Sequence, residues 1–269
     1  MDYSKPISKA QLKRYSSLKQ KKYRTQERLF LAEGERTVMQ LLAQPNLKTE
    51  AVIIHSEDNP SLDFWSLCDI AGAEVLRAGQ RDLKAMSDTQ HTQGMLAAVR
   101  IPAPEDPLEW KVKPGQLLVA LDGLSDPGNA GTIYRTAAWF GAAGMLLGEG
   151  SVDLYNPKVV RSMAGATGSL PGAECRLPEV LRELESRGFA ILLLDLNEAA
   201  ITLEKAAEEL HKNPKPVVLV VGNEAHGISE ELKTAHQAVY IPGDANRIES
   251  LNASVSAGIA MSRLSGLNS

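Results

Sequence analysis

A chain of 269 residues fits about one to two domains and is long enough to bury a core without disulfides or metals. Hydrophobic residues at 43% and charged residues at 23% match ordinary globular usage and exclude a mainly disordered or fibrous chain, while aromatics at 5% argue against a base-stacking platform of many rings. The net charge of -4 hides an asymmetry: residues 1–36 hold ten Lys and Arg against four acids, a balance of +6, so the remainder totals -10. A basic leader on an acidic body reads either as a solvated helix face or as an arm for a polyanionic partner.

Apolar runs at 189–194 and 216–221 fall far short of the ~20 residues that cross a bilayer, and no secretory segment opens the chain. Cys68 and Cys175 make neither a disulfide framework nor a zinc pattern. The expectation is a cytoplasmic, metal-free protein with no membrane partner.

In chain order, residues 37–42 read as an amphipathic helix and 50–56 as a buried strand. Short apolar segments follow at 73–76 and 95–99, with a helix near 82–86. These define a small α/β unit over 1–100. Residues 101–115 carry four prolines, which remove donors and disfavour helix, so this stretch is a linker or wrapping segment. From 116 to 269 the pattern alternates. Strand-like runs at 116–121, 144–147, 189–194, 217–221 and 238–241 are separated by helical stretches at 130–140, 157–165, 179–187, 203–210 and 229–236. A last helix spans 251–264. This alternation predicts a largely parallel sheet covered on both faces, with ligands at the carboxyl ends of its strands.

Three loops after such runs carry polar chemistry. In the first, 122–135, Asn129 is a candidate helix N-cap, and Arg135 lies opposite the stripe Ile133, Ala137, Phe140. Arg135 is therefore either a surface arginine or a phosphate ligand beside a helix N-terminus. In the second, 222–227, Glu224 sits between glycines, where it could cap the next helix or bind a ligand. His226 has no carboxylate or cysteine partner in sequence. In the third, 241–254, Ser250, Asn252 and Ser254 crowd a helix start, as caps or as ligand contacts. The dinucleotide fingerprint G-x-G-x-x-G is absent, which weighs against a nucleotide-dependent Rossmann enzyme.

Together the loops resemble the three motifs of the SpoU (TrmH-type) RNA ribose methyltransferases of the SPOUT superfamily. N-x-G-x-x-x-R is met by Asn129, Gly131 and Arg135; G-x-E-x-x-G by Gly222, Glu224 and Gly227. An Ile-Pro strand end leading to S-L-N-x-S is met by Ile241, Pro242, Ser250, Leu251, Asn252 and Ser254. The segment 28–36 followed by an apolar helix resembles the family's ribosomal-protein-like substrate-binding domain. One departure is Asn246, where the family commonly has glycine; asparagine tolerates left-handed backbone better than most residues.

The resemblance implies a knotted (trefoil) parallel-sheet methyltransferase domain, a homodimer through that domain, and S-adenosylmethionine as cofactor. It implies methylation of a ribose 2′-hydroxyl in structured RNA, with ribosomal RNA favoured and transfer RNA open; a non-catalytic RNA-binding or ribosome-assembly protein is the rival. Carried over residue by residue, the catalytic set is Arg135, Asn129, Glu224, Ser250 and Asn252, with Asn129, Glu224 and Asn252 expected to hold the arginine. The cofactor set is Gly222, Asn223, Gly227, Ile241, Pro242 and Leu251. The basic leader is expected to grasp RNA, so removing residues 1–23 should weaken RNA binding and spare cofactor affinity.

Overall fold

The computed structural model describes residues 2–265 except 90, 91, 93 and 245. The elements run β1 (Lys5–Pro6), α1 (Lys9–Ser17), α2 (Lys21–Glu27), β2 (Leu29–Glu33), α3 (Glu35–Leu42), β3 (Thr49–His55), α4 (Leu62–Ala71), β4 (Glu74–Ala78), α5 (Gln80–Met86) and β5 (Met95–Arg100). They continue with β6 (Leu117–Asp122), α6 (Pro127–Trp139), β7 (Gly144–Leu147), α7 (Pro157–Ser162), β8 (Gly172–Glu174), α8 (Leu177–Ser186), β9 (Ala190–Leu194), β10 (Ile201–Thr202), α9 (Leu203–Lys212), β11 (Val217–Gly222), α10 (Glu230–Ala235), β12 (Gln237–Tyr240) and α11 (Ala253–Leu264). Two compact units result: Met1–Ala103 with Asp153–Ser169, and Pro104–Val152 with Leu170–Ser269.

In the first unit a five-stranded sheet has the order β1-β4-β3-β5-β2. Strand β4 pairs in parallel with β1 and β3, and β5 pairs antiparallel with β3 and β2. Apolar side chains alternate to two cores, one around Phe30, Ile54 and Phe64, the other around Leu29, Ile53 and Leu96. The segment 153–169, which the sequence pattern assigns to the C-terminal half, belongs here. Val160 on α7 is buried in the first core, and the Tyr155 ring packs on Phe30 with centroids 5.0 Å apart.

The basic leader is architecture. Ser8 caps α1 through a reciprocal box: its Oγ accepts from Gln11 N at 3.2 Å, and Gln11 Oε1 accepts from Ser8 N at 3.1 Å. The same helix buries Tyr15, and Leu18 beyond it is fully buried. Arg14 pairs with Glu27 (2.8 Å) and Glu50 (2.5 Å), and Lys5 with Glu74 (3.8 Å). The Arg24 side chain, 3% exposed, donates to Asp153 Oδ2 (2.6 Å) and to the carbonyls of Leu18 (2.8 Å) and Lys19 (2.9 Å). Removing residues 1–23 would therefore strip a sheet strand and core side chains, and would test folding before it tested RNA binding. Helix α4, strand β2 and helices α1 and α2 were not expected from the sequence pattern.

In the second unit seven parallel strands have the order β10-β12-β9-β11-β6-β7-β8. Buried runs such as Val217–Gly222 need apolar side chains on both faces because helices cover both. The proline-rich segment wraps as well as links: the chain passes from the first unit to the second after Ala103, and Leu108, Trp110 and Val112 pack against this core. The Trp110 ring lies against Gly144, where an added methyl would come within 2.6 Å of it. Helix α11 packs on α6 and crosses β11 and β9.

Candidate active site

Strands β6 and β11 are neighbours, with Asp122 opposite Gly222, so the loops that follow them lie side by side at the carboxyl edge of the sheet. Helix α6 starts earlier than the sequence suggests. Its N-cap is Asp126, whose Oδ1 accepts from Asn129 N at 2.7 Å, with Pro127 in the first helical position. The expectation that Asn129 is the cap is corrected: it sits within the first turn, and its side-chain amide is free to reach elsewhere.

That amide joins the three motifs. Asn129 Nδ2 donates to Glu224 Oε1 at 3.0 Å, and Asn129 Oδ1 accepts from Asn252 Nδ2 at 3.0 Å. Asn252 is itself the N-cap of α11, its Oδ1 accepting from Ser254 N (2.9 Å), Ser254 Oγ (2.6 Å) and Val255 N (3.3 Å). The Glu224 carboxylate also accepts from Ser125 N (3.4 Å) and Asp126 N (3.3 Å). It therefore serves the start of α6, distant in sequence, rather than the next helix, α10, which Ser229 begins without a side-chain cap. An anion there meets unpaired N–H groups and the positive end of the helix dipole.

The second loop is closed on itself. Asn223 and Gly227 exchange backbone hydrogen bonds of 2.9 Å each way. A Cβ on Gly222 would lie 2.5–2.6 Å from the backbone of Gly227 and Ile228, so only glycine permits this turn. Asn223 Nδ2 donates to Gly123 O at 2.7 Å, and its Oδ1 accepts from Ala225 N (2.9 Å) and His226 N (3.1 Å). Both ends of this side chain therefore act as a clasp between the first and second loops. Asp122 Oδ2 accepts from Ser229 N at 2.7 Å. Ser151 Oγ donates to Leu121 O (2.8 Å) and accepts from Gly123 N (3.1 Å). Sequence reasoning missed Asp126, which the Asp-Pro helix start signals, and Ser151, which nothing local signals.

Arg135 is exposed on α6, and its side chain makes no hydrogen bond or ion pair among the described residues. Asn129, Glu224 and Asn252 bond to one another and not to it. Ser250 is exposed with its hydroxyl unbonded among the described residues, and Pro242 is exposed. Asn246 N donates to Asp244 Oδ1 at 3.2 Å, which helps turn the third loop.

The residues present suit S-adenosylmethionine. The backbone N–H groups of Ile241 and Leu251 donate to nothing among the described residues, and in the same loop apolar Leu251 (47% exposed) and Ile248 (66%) are uncovered. Free backbone donors and uncovered apolar side chains in one loop match a ligand with an adenine edge and a largely apolar body.

A parallel α/β domain that draws three polar loops together at one strand edge, with an unpaired arginine on the helix after the first, defines a methyltransferase of the SPOUT kind. Residues 116–262 match the SpoU rRNA methylase family, and residues 9–97 match the MRM3-like substrate-binding domain. The chain belongs to the SpoU rRNA methylase family. It is 29% identical over 258 residues to the Bacillus subtilis 23S rRNA (guanosine(2553)-2′-O)-methyltransferase RlmP, covering 95% of this chain and 96% of the relative. An uncharacterized tRNA/rRNA methyltransferase of Synechocystis is 30% identical, covering 93% and 88%. The AdoMet-bound rRNA methyltransferase of Sinorhizobium meliloti superposes with a TM-score of 0.83 at 25% identity, covering 97% of each chain.

Proposed function

We propose that this protein transfers a methyl group from S-adenosylmethionine to a ribose 2′-hydroxyl of ribosomal RNA. The observation that carries this reading is the Asn252–Asn129–Glu224 hydrogen-bonded line, which ties all three motif loops into one site and leaves Arg135 unengaged. S-adenosylmethionine, when bound, supplies a methyl on a positively charged sulfur, so the protein's task is alignment and help with deprotonation. Gly222, Asn223 and Gly227 shape one wall for it, and Ile241, Pro242 and Leu251 the other.

A guanidinium is a poor base, so Arg135 is assigned another part. Its planar fork grips an RNA phosphate and stabilises the developing alkoxide, while the proton leaves to that phosphate or to water, directly or through the Ser250 hydroxyl, which passes on its own proton as it takes the new one. Asn129, Glu224 and Asn252 hold the helix start from which Arg135 projects.

The first unit holds the RNA. Its supporting feature is charge: it carries 17 Lys and Arg against 13 acids, and the second unit carries 12 against 20. A homodimer forms through α6 and α11, which leave Trp139 (82% exposed), Val255 (51%) and Ile259 (37%) uncovered. The return of the chain from β12 across β9 and β11 to α6 supports the trefoil path. No helix among the described residues is long and apolar enough to cross a membrane; action on ribosomal RNA places the protein in the cytoplasm in this reading.

The test uses purified protein, S-adenosylmethionine labelled in its methyl group, and ribosomal and transfer RNA from cells lacking the protein. Label recovered in a 2′-O-methylnucleoside of ribosomal RNA is the expected result. Label in transfer RNA moves the substrate class. No label in either RNA, with no binding of cofactor, overturns the reading in favour of a non-catalytic RNA-binding role.

A further inference from the structure

We infer that the second unit carries another RNA contact at the amino-terminal edge of its sheet, the end opposite the motif loops, which seats an unpaired nucleotide. The inference rests on the proposed action on RNA and adds a location to it.

Two segments lead into the neighbouring strands β6 and β11, and each holds a pair of lysines beside proline: Lys111 and Lys113 before Pro114, and Lys212 and Lys215 around Pro214. Gly115 N donates to Lys215 O at 3.0 Å, which joins the two segments at their ends. In this acidic unit, five of the twelve Lys and Arg are neutralised by ion pairs: Arg176, Arg187, Lys233, Arg247 and Arg263. Arg135, Arg182 and Lys205 stand elsewhere. The other four are these lysines, all exposed and without an ion pair among the described residues. Unpaired cations gathered at one edge of a body with excess acid attract an RNA backbone.

A second observation is independent of charge. Two cavities of about 350 and 740 Å³ meet at Phe189 beside this edge; Lys111 and Lys113 line the first, and Lys212 and Lys215 the second. The larger one is walled by Ile191, Ile201 and Leu210, and His236 opens onto it. The His236 side chain is 3% exposed, and its Nδ1 has no hydrogen-bond partner, with Glu185 Oε1 3.5 Å away. A buried polar atom without a partner is costly unless something arrives to meet it. A splayed nucleobase provides both a flat apolar face and polar edges, and unpaired bases are the elements of RNA that proteins read in this way. The six residues of β11 place this seat about 20 Å from the motif loops.

The test is titration of the full-length protein with a short fluorescent single-stranded RNA of mixed sequence and with transcribed ribosomal RNA fragments, over a range of salt. The quadruple variant K111Q/K113Q/K212Q/K215Q should raise Kd at least ~10-fold and reduce the slope of log K against log salt by about 2 to 3, at ~0.7 for each phosphate no longer neutralised. Cofactor affinity and the methylation rate at saturating RNA should stay as in the wild type. The variant R182Q/K205Q controls for net charge and should change the slope far less per charge removed. His236→Ala should weaken the short RNA without changing the slope, and a 4-thiouridine RNA should crosslink to the peptides bearing Phe189 or His236. Unchanged Kd and slope in the quadruple variant, in a wild type that methylates RNA, overturns the RNA contact alone. Crosslinks confined to other peptides overturn the base seat. A wild type that binds no RNA overturns both this edge as an RNA surface and the function it rests on.

Discussion

The two units treat charge in opposite ways. In the first, arginines that look like RNA ligands in the sequence are engaged internally: Arg14 bridges Glu27 and Glu50, and Arg24 is sealed against Asp153. In the second, the polar side chains of the site satisfy one another along the Asn252–Asn129–Glu224 line, and the arginine of the motif is left open to solvent. A basic residue is thus a candidate for RNA only after its internal partners have been counted, and the difference separates side chains that build the protein from those left open to solvent.

The largest expected effect breaks the first half of that comparison. Asp153→Ala leaves the Arg24 guanidinium buried with only backbone carbonyls, and loss of one partner from a buried pair costs about 3–5 kcal/mol. Urea unfolding followed by tryptophan fluorescence should show that loss, and a joint replacement of Arg24 and Asp153 by apolar residues should recover much of it. Arg135→Ala sharpens the second half. As an exposed site without partners it should shift stability by no more than ~0.5 kcal/mol, yet methylation should fall about 100-fold, the scale of removing one stabilising donor at a developing oxyanion. Arg135→Lys, which keeps the charge but not the fork, should recover only part of that rate; a rate near wild type would sink the assigned role. Asn129→Ala removes both links of the line, each worth ~1 kcal/mol, so a rate loss of roughly 10-fold with a small drop in Tm is expected. Restoration by Asn129→Asp is not, because a carboxylate would face Glu224.

The smallest effect is alkaline. Burial pushes the Cys68 thiol up to about 12 and the Cys175 thiol up to about 11, from 9.0. Both protonated thiols are favoured by the fold, so the unfolded chain loses its protons first and stability falls as pH rises from about 9 towards 11–12. Thiol alkylation at pH 8 should be slow in the native protein and rapid once urea unfolds it.

Where the sequence carried a long one-sided or two-sided apolar signal, the fold was legible. The strands at 117–122, 144–147 and 217–222 stand within a residue of expectation. Helix α4 escaped because Leu62–Ala71 is apolar on most faces, and α1 because Leu12, Tyr15 and Leu18 are sparse among lysines. Strands β8 and β10, of three and two residues, are too short for any period to show. The site was legible as three loops but not as a network. Asn129 looked like a cap because Asp126 and Pro127 were read as loop, and the target of Glu224 lies some hundred positions away, where local spacing carries no information.

The visit of residues 153–169 to the first unit means that the polypeptide passes between the units at three points, after Ala103, Val152 and Ser169. A unit joined to its neighbour by one crossing can be exchanged for another by a single genetic breakpoint. Here a graft at the proline-rich stretch would carry away Arg24 and leave Asp153 behind, so any exchange of the first unit between relatives requires compensating changes on both sides of the join.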